Sequence, residues 1–332
     1  MRLAMRLAVL AVVAGLGAAL TFGYLGRLHP AFDSFSHLRL HLSGLLLVLA
    51  PLLAALRFRR EAVFALLLGL AAPVQTVAVL ANAGGTEAPE ADGDHIGAAT
   101  YRLLHLNLLY DNPTPEAVLS LIGQARPDVM TLTEVSDLWV GKLALIKAAY
   151  PYRLICPQPT FIGGVAILSR RPFSGGFEPH CGNRGAFARA GIDFGGESVE
   201  IAAVHMGWPW PFEQPWQIPR LEPLLARLGD TAVIAGDLNA APWSQSARKL
   251  AAAAGARILP GIGPTWLHRR LPRALLRWIG LPLDNIMAKG GIVPRRLETL
   301  DAVGSDHLPV LLEFSLRQRE RPAETLKAEI GE

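Results

Sequence analysis

Cysteine is nearly absent from this 332-residue chain, and charge is scarce. The only thiols are Cys156 and Cys181. Neither has a second Cys or His across the two to four intervening residues typical of zinc ligands, so a thiolate zinc site is excluded. The pair is either a disulfide, which needs an oxidising compartment, or two buried free thiols. Charged residues make up only 18% of the chain against 51% hydrophobic residues. That balance excludes an ordinary soluble enzyme. A broad positive field is also lacking. Of 32 Lys and Arg and 28 Asp and Glu, residues 1–60 hold seven Arg and one acid, Asp33, leaving 25 bases and 27 acids for residues 61–332. The basic pI therefore comes largely from the N-terminal arginines, and the near-neutral remainder does not resemble a strongly cationic duplex-binding protein. No internal repeat is present.

The hydrophobic excess is local. Three apolar runs occupy about Leu7 to Leu25, Leu42 to Leu56 and Ala62 to Leu80. The first and third approach the ~20 residues of a bilayer-spanning helix. The second is shorter and contains Pro51. Arg57, Arg59 and Arg60 separate the second run from the third, and one Arg at mid-membrane costs about 2.5–3.5 kcal/mol, so they mark a loop. A cleaved signal peptide is the competing reading of Arg2, Arg6 and the first run, and the two runs that follow argue against it. Three spans, with arginines before the first and between the second and third, place the N-terminus in the cytoplasm and everything beyond Leu80 outside; if the second run does not cross, the placement reverses.

Four segments are expected: a membrane segment over 1–82, a flexible linker over 83–99, a globular domain over 100–316 and a charged tail over 317–332. In the domain, short apolar runs predict strands at 101–107, 128–133, 165–168, 198–204, 231–235, 285–288 and 310–314. Helices are predicted at 114–125, with Thr114 as N-cap and Pro115 at the first helical position, and at 138–149, 217–228 and 244–254. Strands and helices mix without regular alternation. That argues for an α/β (α+β) architecture of packed sheets with outer helices, not a simple doubly wound sheet.

Polar residues cluster at the strand ends: Asn107, Glu134, His205, Asp237-Leu238-Asn239, Asp284 and, before the apolar run Val310-Leu311-Leu312, Ser305-Asp306-His307. Taken singly, each has a plain reading: a solvated Glu in a loop, a turn held by Asx hydrogen bonds, a structural histidine. In this order the set resembles the endonuclease/exonuclease/phosphatase superfamily over about residues 100–315. That group includes pancreatic-type deoxyribonucleases, abasic-site endonucleases, neutral sphingomyelinases and inositol polyphosphate 5-phosphatases. The stretch His205-Met206-Gly207-Trp208-Pro209-Trp210-Pro211 is similar to membrane-anchored bacterial members.

The resemblance implies a four-layer sandwich of two mixed β-sheets flanked by helices. It also implies a phosphoesterase that hydrolyses phosphodiesters by metal-activated water attack. Such chemistry needs a hard cation to offset phosphate charge. The oxygen-rich set favours Mg²⁺, with Mn²⁺ as an alternative, over Zn²⁺. Glu134 is the leading metal ligand, with Asn107 and Asp306 completing or supporting the site. Asp237 orients or deprotonates the water and Asn239 binds a phosphate oxygen. His307 is general base or, when protonated, phosphate donor; Asp284 fixes its tautomer, and His205 donates from the other side. The expected partners are a phosphate-ester substrate, nucleic acid or lipid headgroup, and the membrane around the N-terminus, with no protein partner. The resemblance and the charge bias together place the chain in a bacterial inner membrane as a multi-pass protein, its catalytic domain periplasmic. Two features stay open. Trp208, Trp210 and Trp216 either wall the substrate or pack on the following helix, and 266–283 mixes apolar residues with Arg269, Arg270, Arg273 and Arg277 in a membrane-like amphipathic pattern. Arg189 either faces the cleft or lies in solvent.

Overall fold

Alternation along one strand decides how the layers stack. In β1 (Tyr101–Asn107), Leu103 faces a core shared by two sheets, while Leu104 and Leu106 face a second core on the other side. A strand buried on both faces belongs inside a multilayer fold. The computed structural model describes residues 2–71, 73–74, 76, 99–157, 160–176 and 178–317. Five more strands join β1 in the first sheet: β2 (Val129–Val135), β3 (Tyr152–Cys156), β4 (Gly164–Ser169), β11 (Ile292–Thr299) and β12 (Val310–Leu316), in the order β11-β12-β1-β2-β4-β3. The second holds β5 (His180–Gly182), β6 (Phe187–Asp193), β7 (Ser198–His205), β8 (Ala232–Asp237), β9 (Arg257–Ile258) and β10 (Asp284–Lys289), in the order β5-β6-β7-β8-β10-β9. Both sheets are mixed: β1 runs parallel to β2 and β7 to β8, and the other pairs are antiparallel.

Helices cover both outer faces. Ile122 of α5 (Pro115–Ala125) and Trp139 and Leu143 of α6 (Asp137–Ala144) pack on the first sheet. Ile218, Leu221 and Leu225 of α7 (Gln214–Leu225) and Leu250 of α8 (Gln245–Ala254) pack on the second. The result is the four-layer sandwich. The helix expected at 138–149 ends earlier, at Ala144. Strands β3, β5, β6, β9 and β11 carry no expected range; β6 (Phe187–Asp193), next to the edge strand β5, mixes small and charged residues, and the other four are edge strands. Of these, β11 carries Pro294, Arg295 and Arg296 at a bulge. Edge strands shed the apolar run that marks a central strand.

Cys156 and Cys181 form a disulfide that joins β3 of one sheet to β5 of the other.

At the N-terminus, α1 (Arg2–Phe22), α3 (Arg39–Ala55) and α4 (Arg59–Ala71) share their own core around Leu20, Leu46, Leu53 and Ala65, and α2 (Pro30–Ser36) links α1 to α3. Among the described residues one helix, Ala4–Phe22, is long and apolar enough to cross a membrane, with mean hydropathy 2.0. The pair α2 and α3, bent by 61°, passes the same test if it forms one span. The second expected span corresponds to α3, which continues through Pro51. The third begins in α4, and its last part lies outside the described residues, as do residues 83–98 of the expected linker and 318–332 of the tail.

The connection around α2 docks on the catalytic layers. Asp33 is buried and accepts hydrogen bonds from Gln245 N (2.7 Å), Ser246 N (2.8 Å) and Ser246 Oγ (2.7 Å). Ser244 Oγ accepts from Ala247 N, so the first-turn donors of α8 are met from two distant parts of the chain. Trp243 donates its indole N–H to Ser36 O (2.8 Å), and Ala241 N donates to His37 Nδ1 (3.0 Å).

Candidate active site

Strand alternation puts His105 and Asn107 on the same face of β1 as Leu103, looking toward the second sheet. Asn107 lies beside Thr133 in the parallel β1–β2 pair, and Glu134 follows. The β2–β4 register breaks between Leu132 and Val135, and Glu134 adopts φ 57°. A left-handed conformation is costly for a residue with a Cβ, and here it coincides with a bulge that turns the carboxylate into the cleft. Asn239, at φ 45°, shares that feature on the opposite wall. On the second sheet His205 ends β7 beside Asp237 at the end of β8, and Asp284 begins β10 directly across from Asp237. Two carboxylates facing across an antiparallel pair repel unless a cation or donor stands between them.

Imidazoles and an amide fill that role. His307 Nδ1 donates to Asp284 Oδ2 (2.7 Å), and its Nε2 lies 3.6 Å from Asp237 Oδ2. His105 Nε2 donates to the other Asp284 oxygen (2.9 Å). His205 Nε2 stands 3.8 Å from Asp237 Oδ2. Asn107 Nδ2 donates to Glu134 Oε1 and to Asp237 Oδ2, both at 3.0 Å, tying the two sheets together. Tyr110 N donates to Glu134 Oε2 (2.9 Å), Asn239 N to Asp237 Oδ1 (2.8 Å) and Asn239 Nδ2 to Met206 O (2.7 Å). The loop bearing Asp306 and His307 is held by Ser305, whose Oγ donates to Asn107 O (2.7 Å) and accepts from His307 N (3.0 Å). Gly304 precedes it at φ 85°, where a Cβ would lie 2.0 Å from Thr114 Oγ1; only glycine fits.

Burial and charge set the protonation states. Burial alone would depress the imidazolium of His307. The charges of Asp284 and Asp237 and the hydrogen bond to Asp284 outweigh it, and the group is pushed up to about 10. Burial alone would raise Asp284; the charge on His307 and the hydrogen bonds from His105 and His307 hold it below the usual carboxylate range instead. The two form an ion pair at neutral pH. Asp237 is raised, because burial outweighs the pull of the His307 and His205 charges and Asp284 adds to it.

These groups open on one cleft of about 550 Å³. Glu134, His205, Asp237, Asn239, Asp306 and His307 line it. Asn107, His105 and Asp284 are fully or nearly fully buried behind that wall. Arg189 is elsewhere, paired with Glu200 at 3.4 Å. Trp208 and Trp216 line the cleft and are half exposed, so the substrate-wall reading fits them better than packing. Trp266 meets Trp208 edge to face and donates its indole N–H to Asp306 Oδ2 (3.0 Å).

Asp237, Asp284 and His307 offer ligand atoms within 4.8 Å of one another. Both Asp284 oxygens already accept imidazole N–H groups, so this trio reads as a buried ion-pair cluster. The oxygen donors that fit a hard cation stand on Glu134 and Asp306. Each carboxylate oxygen has two lone pairs, and the single N–H bonds they accept leave room for a metal.

Four contributors escape the reading of the sequence. His105 has a signal in hindsight: it stands two residues before Asn107 on one strand, hence on the same face. Arg184 and Arg220, which also line the cleft, have none, since their approach depends on how α7 and the turn after β5 meet. Asn183 lines the cleft too, with a buried Nδ2 that has no hydrogen-bond partner.

A family model described as Endonuclease/Exonuclease/phosphatase family matches residues 104–307. A sequence search of curated proteins finds no match. Solved structures are similar in fold. D. rerio TDP2 complexed with single-strand DNA product is 15% identical, covering 65% of this chain and 99% of that one, with TM-score 0.54. An AP endonuclease from Archaeoglobus fulgidus is 18% identical over 64% of this chain and 99% of its own, with TM-score 0.53. The human Nocturnin catalytic domain is 17% identical over 66% and 94%, with TM-score 0.50.

Proposed function

Because the chain belongs to the endonuclease/exonuclease/phosphatase family, whose members are generally metal-dependent phosphoesterases, we propose that it is a Mg²⁺-dependent phosphodiesterase, nuclease-like in mechanism and anchored by its N-terminal helices. The observation that carries this reading is the convergence of Glu134, His205, Asp237, Asn239, Asp306 and His307 on one cleft from strand ends of both sheets.

In this reading Glu134 and Asp306 hold the divalent ion. Asn107 supports them from behind by fixing the Glu134 and Asp237 carboxylates. The ion, when bound, offsets the phosphate's negative charge and stabilises the leaving oxygen. Asp237 orients the attacking water and takes its proton. Its raised pKa suits a base, since basicity rises with pKa. His307, held cationic by Asp284, donates to a non-bridging oxygen and is not the base. His205 donates from the other wall, and the partnerless Asn183 amide supplies a further donor. Attack forms a bond from the water oxygen to phosphorus and breaks the bond to the leaving alcohol.

The domain division at 82, 99 and 316 is part of the proposal, as is placement of the catalytic layers outside the cytoplasm. Three features support that placement. The disulfide suits an oxidising compartment. Arg57, between α3 and α4, and Arg59 and Arg60, which open α4, gather at the turn where the positive-inside bias expects them. The α2 connection touches the catalytic layers, so both lie on one side of any membrane. Segments α3 and α4 then cross as a pair or not at all, and the apolar run begun in α4 continues in sequence to Leu80.

A second reading, a lipid headgroup phosphodiesterase, is favoured by the exposed Trp-rich rim of the cleft. The test offers the full chain, with Mg²⁺ and then with EDTA, plasmid DNA, phospholipid vesicles and a soluble bis-phosphate ester. Metal-dependent cleavage of DNA that falls steeply with salt supports the nuclease. Cleavage of vesicle lipid alone supports the second reading. Turnover of none of the three would sink both.

A further inference from the structure

The sandwich explains neither the apolar side chains exposed beside the cleft nor the basic residues among them. They come from two separate loops. Trp210, Phe212 and Trp216 are 44%, 57% and 58% exposed, and Leu271, Trp278 and Ile279 are 41%, 68% and 43% exposed. An apolar patch of this kind beside a site marks an interaction surface.

We propose that this rim is a membrane-docking surface, seated in the headgroup layer of an anionic bilayer with the cleft opening beside it. Continuity with the N-terminal helices identifies the partner. Ser34 in α2 donates to Trp210 O (2.9 Å), and the His29 ring meets Trp210 edge-on at 6.0 Å. The Trp210 segment therefore touches α2, directly before α3 begins, near the level at which a helix enters lipid. Tryptophans concentrate at that level because the ring is apolar and its N–H polar. Charge agrees. Arg270 and Arg277 are exposed, and the Arg277 guanidinium lies 5.0 Å over the Trp278 ring, an arrangement suited to lipid phosphates. The rim is also coupled to the chemistry. Arg273, between its two apolar clusters, donates to the carbonyls of Asp306 (3.0 Å) and Ser305. A flap held in the headgroup layer thereby braces the loop carrying Asp306 and His307.

The inference rests on α1 and α3 entering a membrane and not on the reaction assigned to the cleft. It is tested with the full chain in nanodiscs of phosphatidylcholine and phosphatidylglycerol, made with ordinary or brominated acyl chains. Bromine quenches only indoles within reach of the lipid. The wild type is expected to lose emission in brominated discs. The Trp210→Phe/Trp216→Phe/Trp278→Phe variant is expected to lose a clearly smaller share. These exposed positions accept Phe without disturbing the core. Absence of bromine-dependent loss in the wild type, or equal loss in the variant, overturns the inference, including the case in which a second copy of the chain covers the rim. Turnover does not enter the readout, so failure of the catalytic reading leaves this result intact.

Discussion

At the scale of single residues the site is a problem of buried charge. Two facing carboxylates, Asp237 and Asp284, are tolerable because His307 stands between them and His105 takes the second oxygen of Asp284. In the proposed mechanism Glu134 and His307 act in the transition state, so Glu134→Gln and His307→Ala are each expected to lower kcat by roughly 10²–10³-fold. Circular dichroism should show both variants folded. His105 is a positioning residue. His105→Ala should reduce kcat by about tenfold or more with little change in KM, as loss of an orienting partner does. The ion pair also has a pH signature. His307 lies above its ordinary 6.5, so its contribution to stability is complete below about 6.5 and is lost as pH rises through about 10. Asp284 lies below its ordinary 3.8, so its contribution is present above that value and is lost on acidification. Thermal unfolding of the full chain in detergent with EDTA should show a midpoint that falls as pH approaches 10. Asp284→Asn should flatten that fall, and an unchanged slope would contradict the ion pair. The types and order of Glu134, Asp237, Asp284 and His307 were legible because each closes or opens an apolar strand run. Their protonation was not, because it depends on partners up to about two hundred positions apart.

At the scale of elements, central strands were legible and margins were not. Strands β1, β2, β4, β7, β8, β10 and β12 announce themselves by apolar runs, since both faces are covered. β3, β5, β9 and β11 at the edges, and β6 beside β5, carry mixed residues and owe their pairing to neighbours already in place. Two joints between elements make predictions. The disulfide ties β3 to β5 across the two sheets, closing a 25-residue separation. Cys156→Ser/Cys181→Ser should cost about 3 kcal/mol, measured by denaturant unfolding under oxidising conditions. Asp33 completes the first turn of α8 from a distant part of the chain. Asp33→Ala removes a cap and leaves buried N–H donors unpaired, an expected loss of about 1–2 kcal/mol. Faster hydrogen exchange at Gln245 and Ser246 would report it, and unchanged protection there would contradict the joint.

At the scale of the whole molecule the question is which way the cleft faces. Docking of the α2 connection on the catalytic layers makes the N-terminal helices part of that answer and not a passive tether. A reporter enzyme that works only outside the cytoplasm should be active when fused after Asn82; activity only inside would reverse the placement. By itself the sequence determined the set of chemical groups, the central strands, the apolar N-terminus and the near-neutral catalytic part. These are local matters, written in the period and polarity of short segments. Only the tertiary structure decided that Cys156 meets Cys181, that His105 joins the Asp284–His307 ion pair, that Asn107 bridges two carboxylates and that Asp33 caps α8. Each is a contact between segments far apart in the chain, and such contacts exist only once two sheets have packed and their strand ends share one edge.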